Sequence, residues 1–269
     1  MTAGKKYCSV CGREKEQRYI KYADINAYIE CECEKRLREE KESADINYAL
    51  RVAHWLRNRS SHLSSLGASA YFGNMSVDQY NEKAIRAGKY MLTRLLSDKK
   101  EEGKSSIIYQ GNRGSGKTFI SSAIINEYNK QRPVSEAHIH NILRERDNGL
   151  RREDFSAVHS PCKFITEMDL YALYYENFNF CKVDGPLDEF KKCKGLFVID
   201  DIGSSNYDRG RIQALYHNIF DYRYSENLPV VVTTNLNKRE LCDYIGDRAF
   251  DRLQAYSYFI DLTSPESRR

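Results

Sequence analysis

A chain of 269 residues with 41% hydrophobic composition can bury one substantial core plus a small appendage, and it holds no apolar run near the roughly 18 residues of a membrane-spanning helix. Its formal net charge of +4, with acidic and basic residues well mixed, permits nucleic-acid binding without arguing for it, so any such site must come from a local patch. The N-terminus has no secretory apolar stretch, and the expected location is the cytoplasm, where the eight cysteines stay reduced.

Four cysteines are grouped near the N-terminus. Cys8-Ser9-Val10-Cys11-Gly12 has the spacing that lets two thiolates converge on one ion from a tight turn, and Cys31-Glu32-Cys33 follows two β-like runs at 17–22 and 27–30. A short hairpin brings the two pairs together, and extended backbone at Cys31 and Cys33 puts both sulfurs on one face. Four soft ligands point to Zn²⁺ in a closed, structural ribbon, with iron–sulfur ligation and a metal-free cluster as the alternatives. Cys162, Cys181, Cys193 and Cys242 lie far apart without ligand spacing and read as small buried or neutral side chains.

A mixed-charge run at 34–42 leads into residues 44–57, where Ile46, Leu50, Ala53, His54 and Leu56 recur at roughly helical intervals. This predicts a connecting helix, with Trp55 serving either packing or a partner surface. The serine-rich stretch 60–67 reads as a linker. The predicted domains are therefore 1–58, zinc-binding and helical, and 59–269.

The second domain opens on the most specific motif in the chain. Residues 105–110 read as a buried strand, Gly111-Asn112-Arg113-Gly114-Ser115-Gly116-Lys117-Thr118 is a complete phosphate-binding loop, and Phe119, Ile120, Ala123, Ile124 and Tyr128 recur at helical spacing. The glycines let successive N–H groups turn toward phosphate, Lys117 reaches the β- and γ-phosphates, Thr118 offers its hydroxyl to Mg²⁺, and the helix N-terminus adds its dipole. This predicts a nucleoside triphosphate site.

Residues 131–160 carry Arg144, Arg146, Arg151 and Arg152 interleaved with Glu145, Asp147, Glu153 and Asp154. The stretch reads as a solvated loop or as a DNA or partner contact, although Ala137, Ile139, Ile142 and Leu143 are spaced for the apolar face of a short helix. A strand at 162–166 and a helix at 169–177 follow. Residues 195–203 then form an apolar strand ending in two carboxylates, the Walker B arrangement, in which Asp200 holds Mg²⁺ and Asp201 orients the attacking water.

A helix at 209–224 precedes the strand 229–235, whose terminal Asn235 takes a sensor position beside the γ-phosphate. A helix at 238–244 and a strand at 256–262 complete an alternating pattern that predicts an α/β three-layer sandwich with a parallel sheet. Between them lies Gly246-Asp247-Arg248-Ala249-Phe250-Asp251-Arg252-Leu253. Arg248 and Arg252 share a helix face and suit either phosphate recognition or surface pairing with Asp247 and Asp251.

Taken together, the phosphate loop, Ile199-Asp200-Asp201-Ile202-Gly203, Asp221-Tyr222-Arg223-Tyr224 before Thr233-Thr234-Asn235, and Gly246-Asp247-Arg248 with Asp251-Arg252-Leu253 resemble the DnaC/DnaI-type helicase loaders of the AAA+ ATPases. The cysteine-bearing N-terminus is similar to that of loaders in Gram-positive bacteria and their phages. The resemblance implies an AAA+ fold and an N-terminal part that grips a hexameric replicative helicase. It further implies ATP-dependent binding of single-stranded DNA and side-by-side assembly of the ATPase domains. It assigns Arg248 as the arginine finger, Arg252 as its companion, and Arg268 or Arg269 as a second sensor. Two other readings share the core motifs. A transposition helper ATPase of the insertion-sequence type is disfavoured by the zinc ribbon, and a non-catalytic helicase adaptor or inhibitor is disfavoured by Asp200, Asp201 and Asn235.

Overall fold

A computed structural model of the protein describes residues 5–20, 25–97, 103–151, 159–179, 186–204 and 206–264. The chain forms two compact units, Met1–Ala53 with Val134–Ser156, and His54–Pro133 with Ala157–Arg269. The smaller unit is thus discontinuous in sequence.

In the smaller unit, strands β1 (Gln17–Ile20) and β2 (Ile25–Tyr28) pair antiparallel, with Gln17 opposite Tyr28. Helix α1 (Glu32–Ser60) begins directly after Cys31, so Cys33 lies in its first turn and the expected extended backbone at this pair is not formed. The cause is local. The Cys31 N–H donates to the Glu34 carboxylate at 3.4 Å, and Glu32 and Glu34 place negative charge where the helix dipole favours it. Pairs Arg36–Glu40 and Arg38–Glu42 support the polar first half, which makes the helix longer than the predicted 44–57. Its buried face is Ala49, Val52, Ala53 and Leu56, while Ile46 and Leu50 are exposed.

Residues 136–147, read from sequence as part of a loop or contact, form a helix, α5 (Glu136–Asp147), capped by Ser135. Its Ile142 is buried, and Arg146 pairs with Asp45 of α1 at 2.8 Å while lying over the Tyr48 ring. Arg146 is therefore occupied within the smaller unit. Arg152 lies outside the described residues, as do Cys181, Arg268 and Arg269.

The serine-rich stretch is not a linker. Ser61 and Gly67 are buried, Asn129 donates to Ser61 Oγ at 3.0 Å, and Asn126 donates to the carbonyls of Gly67 and Ala70, both at 2.7 Å. The Ser60 and Ser61 hydroxyls donate to the Arg57 carbonyl at the end of α1. Ser64 caps the short helix α2 (Ser65–Ala68) by accepting the Gly67 N–H.

The larger unit is built on five parallel strands, β3 (Ser106–Gln110), β4 (Lys163–Thr166), β5 (Phe197–Ile202), β6 (Val230–Thr234) and β7 (Ser257–Asp261), in the order β4-β5-β6-β3-β7. Successive strand residues serve opposite faces. Ile107, Tyr109, Phe164, Val198 and Val231 pack with α3 (Glu82–Leu96) and α4 (Lys117–Gln131), through Ile85, Met91, Ile120 and Ile124. Ile108, Ile165, Phe197, Ile199, Val230 and Val232 face the other way, toward α6 (Glu167–Asn179), α7 (Pro186–Lys191), α8 (Arg209–Ser225), α9 (Lys238–Ile245) and α10 (Asp247–Tyr256). Two apolar cores explain why these strands read as continuous hydrophobic runs. Among the described residues no helix is long and apolar enough to cross a membrane.

One cation locks the sheet's lower edge. Arg223 of α8 is fully buried and donates to the carbonyls of Lys191, Cys193, Gly195 and Pro229 at 2.7–3.0 Å, with its guanidinium over the Phe197 ring. These carbonyls belong to the segments entering β5 and β6. Arg223→Met fills the space but leaves four acceptors without their charged donor, and should lower unfolding stability by about 3 kcal/mol in denaturant titrations.

Candidate functional site

The phosphate loop follows β3, at the point where the sheet order reverses around this strand, so the crevice between β3 and β6 opens at their C-terminal ends. Gly116 ends the loop at φ 95°, ψ 9°, a left-handed conformation that only glycine adopts without strain, and Lys117 starts α4 directly after it. Lys117 Nζ donates to Gly111 O at 2.7 Å, Asn112 O at 2.9 Å and Asn235 Oδ1 at 2.9 Å. Burial pushes its pKa down, while the charges of Asp201 and Asp200 pull the other way. Asn112 is not free for a ligand, because its side chain donates to Ser264 O and accepts the Ser264 N–H.

Thr118 Oγ1 donates to both Asp200 oxygens, at 3.0 and 3.1 Å, and Thr233 Oγ1 donates to Asp200 Oδ1 at 2.6 Å. Burial raises the Asp200 pKa, and the Thr233 and Thr118 hydroxyls oppose the rise. A hydroxyl and a carboxylate oxygen are the hard donors that Mg²⁺ takes alongside water and phosphate, so this pair fits that ion.

The strand carrying these acids does not run straight. Between Ile199, opposite Val232, and Ile202, opposite Thr234, the β5–β6 register shifts, so Asp200 and Asp201 together face the single residue Thr233. This is a bulge. Asp201 takes φ 61°, and its N–H donates to Thr233 Oγ1 at 2.8 Å. Its carboxylate is thereby turned toward Asn235, whose Nδ2 donates to Asp201 Oδ1 at 3.1 Å.

A cleft of about 950 Å³ joins these groups to a second wall made of Leu66, Gly67, Asn74, Met75, Ser76, Asp78 and Asn81. That volume and mixed lining suit a ligand the size of a nucleotide. Sequence motifs did not reveal this wall. Its only local signal is the reciprocal turn in which Asp78 accepts the Asn81 N–H and Asn81 accepts the Asp78 N–H, just ahead of α3.

Arg248 and Arg252 of α10 do not line the cleft. Both are exposed, and Arg252 pairs with Asp221 at 3.1 Å and lies over the Tyr224 ring, rather than bonding to Asp247 or Asp251. Among the described residues Arg248 makes no ion pair.

The four N-terminal cysteines form a separate centre. Their sulfurs lie within 4.8 Å of one another, with Cys8–Cys33 at 3.4 Å, Cys11–Cys31 at 3.7 Å and Cys31–Cys33 at 3.1 Å. A tetrahedral zinc with its usual thiolate bonds sets sulfurs roughly 3.8 Å apart, so the donor set fits. The N–H groups of Val10 and Cys11 both point at Cys8 Sγ, at 3.4 Å each. The Arg13 backbone N–H, aided by the thiols of Cys33 and Cys8, holds Cys11 down at about 7, whereas hydrogen bonding with Cys31 and the other two thiols pushes Cys33 up to about 12.

Glu34, unremarked in the sequence, organises this centre from outside. It accepts from the Ser9 N–H and hydroxyl, both at 3.0 Å, from Lys15 Nζ at 2.7 Å, and from the Cys31 N–H. Cys162 and Cys193 are buried and Cys242 is partly so, each away from this cluster.

No family model and no curated protein matches the chain. Solved structures do. The crystal structure of DnaI is similar at 21% identity and TM-score 0.53, covering 77% of this chain and 95% of that one. The DnaC helicase loader is similar at 16% identity and TM-score 0.52, covering 74% and 99%. The replication initiator DnaA bound to AMPPCP and single-stranded DNA is similar at 18% identity and TM-score 0.50, covering 77% of this chain and 53% of that one. The larger unit therefore has the AAA+ fold shared by these proteins.

Replacing Cys8 and Cys11 together by serine should abolish bound zinc in metal analysis, with the thermal transition of the larger unit retained, since none of its core residues belongs to the cluster.

Proposed function

We propose that this protein is an ATP-hydrolysing loader that delivers a replicative hexameric helicase onto DNA, with nucleotide state switching its hold on helicase and single-stranded DNA. The observation that carries this reading is the convergence of Lys117, Thr118, Asp200, Asp201 and Asn235 on one cleft. They converge in a fold shared with DnaI and the DnaC loader. The nucleotide and single-stranded DNA held by the DnaA neighbour supply the ligand classes. Residues 1–58 form the helicase-gripping module and 59–269 the ATPase, and the protein works in the cytoplasm.

In this mechanism the loop N–H groups and the Lys117 ammonium receive the β- and γ-phosphates. Thr118 and Asp200 would hold a Mg²⁺ ion, whose charge would offset the negative charge that builds on the phosphates. Asp201 accepts a proton from the attacking water and aims it, and Asn235 holds the water or a γ-oxygen. Arg248, exposed on α10, reaches the γ-phosphate of a neighbouring subunit, with Arg252 fixed by Asp221 beside it.

Asp201→Asn should keep ATP binding and lower the hydrolysis rate by on the order of a hundredfold or more, because the metal ligand remains while the base is lost. Unchanged turnover removes Asp201 from the reaction. Capture of the host's replicative helicase by the full-length chain, with ATP but not with ADP, tests the loading role.

Mixing Arg248→Ala and Lys117→Ala chains should restore part of the hydrolysis that each lacks alone, since composite sites combine an intact loop with an intact finger. Co-assembly without recovery at any ratio places Arg248 outside the neighbour's site.

A further inference from the structure

Glu167 is a buried acid to which the mechanism above gives no task. It is the first residue of α6, directly after β4, and it is wholly inaccessible to solvent. Its Oε1 accepts the Tyr216 hydroxyl of α8 at 2.7 Å. Its Oε2 accepts the Gly203 N–H at 3.0 Å and the Tyr244 hydroxyl of α9 at 3.1 Å, and the neighbouring Ser204 N–H closes the turn by donating to Asp201 O at 3.2 Å. Among the described residues no lysine or arginine pairs with it. Burial raises its pKa, and the hydrogen bonds from Tyr216, Gly203 and Tyr244 offset part of that rise.

The backbone it holds is the far side of the Asp201 bulge. Asp201 at φ 61° and Gly203 at φ 87° both sit in the left-handed region, which is unfavourable for a residue with a side chain. Such a turn persists only where its surroundings over-determine it. Thr233 Oγ1 takes the Asp201 N–H on one side, and Glu167 takes the Gly203 N–H on the other. Tyr244 precedes Gly246, the residue that caps α10, so the same carboxylate also bonds the helix that leads to Arg248.

We infer that Glu167 is a positioning residue, whose carboxylate fixes the strained turn that aims Asp201 and, through Tyr244, joins that turn to the helix leading to Arg248. The inference rests on the ATPase reading above. The bond to Gly203 matters most, because a tyrosine hydroxyl can accept as well as donate, whereas a backbone N–H can only donate.

Glu167→Gln keeps a carbonyl oxygen for Gly203 while its amide donates to a tyrosine oxygen. Glu167→Ala removes every acceptor, and Tyr244→Phe removes one hydroxyl with little change of volume. The alanine variant should lose about a hundredfold in kcat with ATP and ADP affinity within about twofold of wild type, the expected cost of a misaimed group remote from the bound phosphates. The glutamine variant should stay within about fivefold of wild type, and Tyr244→Phe should lose several-fold in kcat alone. Amide exchange at Gly203 and Ser204 should quicken in the alanine variant, less in Tyr244→Phe, and hardly in the glutamine variant.

Exchange reads the turn whether or not ATP is hydrolysed. If wild type proves inactive but exchange follows this order, the hydrolysis reading fails while Glu167 still holds the turn. Wild-type exchange at both amides in Tyr244→Phe and Glu167→Gln, together with unchanged or equally damaged kcat in all folded variants, overturns the proposal. Should Glu167→Ala not fold, the contrast between glutamine and Tyr244→Phe decides.

Discussion

The nucleotide cleft depends on one irregularity, the bulge that sets Asp200 and Asp201 against Thr233 alone. In a straight strand successive side chains point to opposite faces, so two adjacent acids would not both serve one site. The extra residue changes that. Asp200 stays in the ladder's line, where the Thr118 and Thr233 hydroxyls meet it, and Asp201 is turned toward Asn235. In the proposed reaction this divides metal ligation and water activation between neighbours in sequence. The register of β5 with β6 sets the position of Thr233, and Arg223 ties together the segments that begin both strands.

The charges around that bulge explain its polar composition. Lys117 and Asp200 are both largely buried, and each resists its charged form on desolvation grounds. Lys117 meets carbonyl and amide oxygens, and Asp200 meets two hydroxyls, so neither is left without partners. The arrangement is preorganised for a polyanion with a divalent cation, since the donors already converge.

The smaller unit solves a different problem. Among the described side chains ahead of α1, one apolar residue, Cys8, is buried. The 8–12 turn and the start of α1 bring four thiols together in an arrangement that could hold a metal ion and so stabilise a segment this small. Glu34 connects the two ligand pairs by capping the helix at Cys31 and binding Ser9 of the opposite turn. Arg146 brings α5 to Asp45 of the same unit, a use for the 131–160 segment that its charge pattern did not disclose.

Short-range chemistry was legible in the sequence. The phosphate loop, the paired acids after an apolar strand, the alternation of strands with helices and the grouping of cysteines all follow from spacing along a few residues. These determined the three-layer α/β architecture with its parallel sheet and the residues expected around a nucleotide. Backbone conformation at Cys33 escaped, because Glu34 caps the helix through the Cys31 N–H while a cysteine, not one of the usual N-cap residues, stands at its start. The 66–81 wall of the cleft, the packed serines at 60–67, the bulge at Asp200–Asp201 and the burial of Glu167 beneath it were decided by tertiary structure alone. Each depends on partners distant in sequence, such as Asn126 for Gly67, Thr233 for Asp201, and Tyr216 and Tyr244 for Glu167. A hydrogen bond across that separation leaves no periodicity for the sequence to display, and only the folded sheet brings its donor and acceptor together.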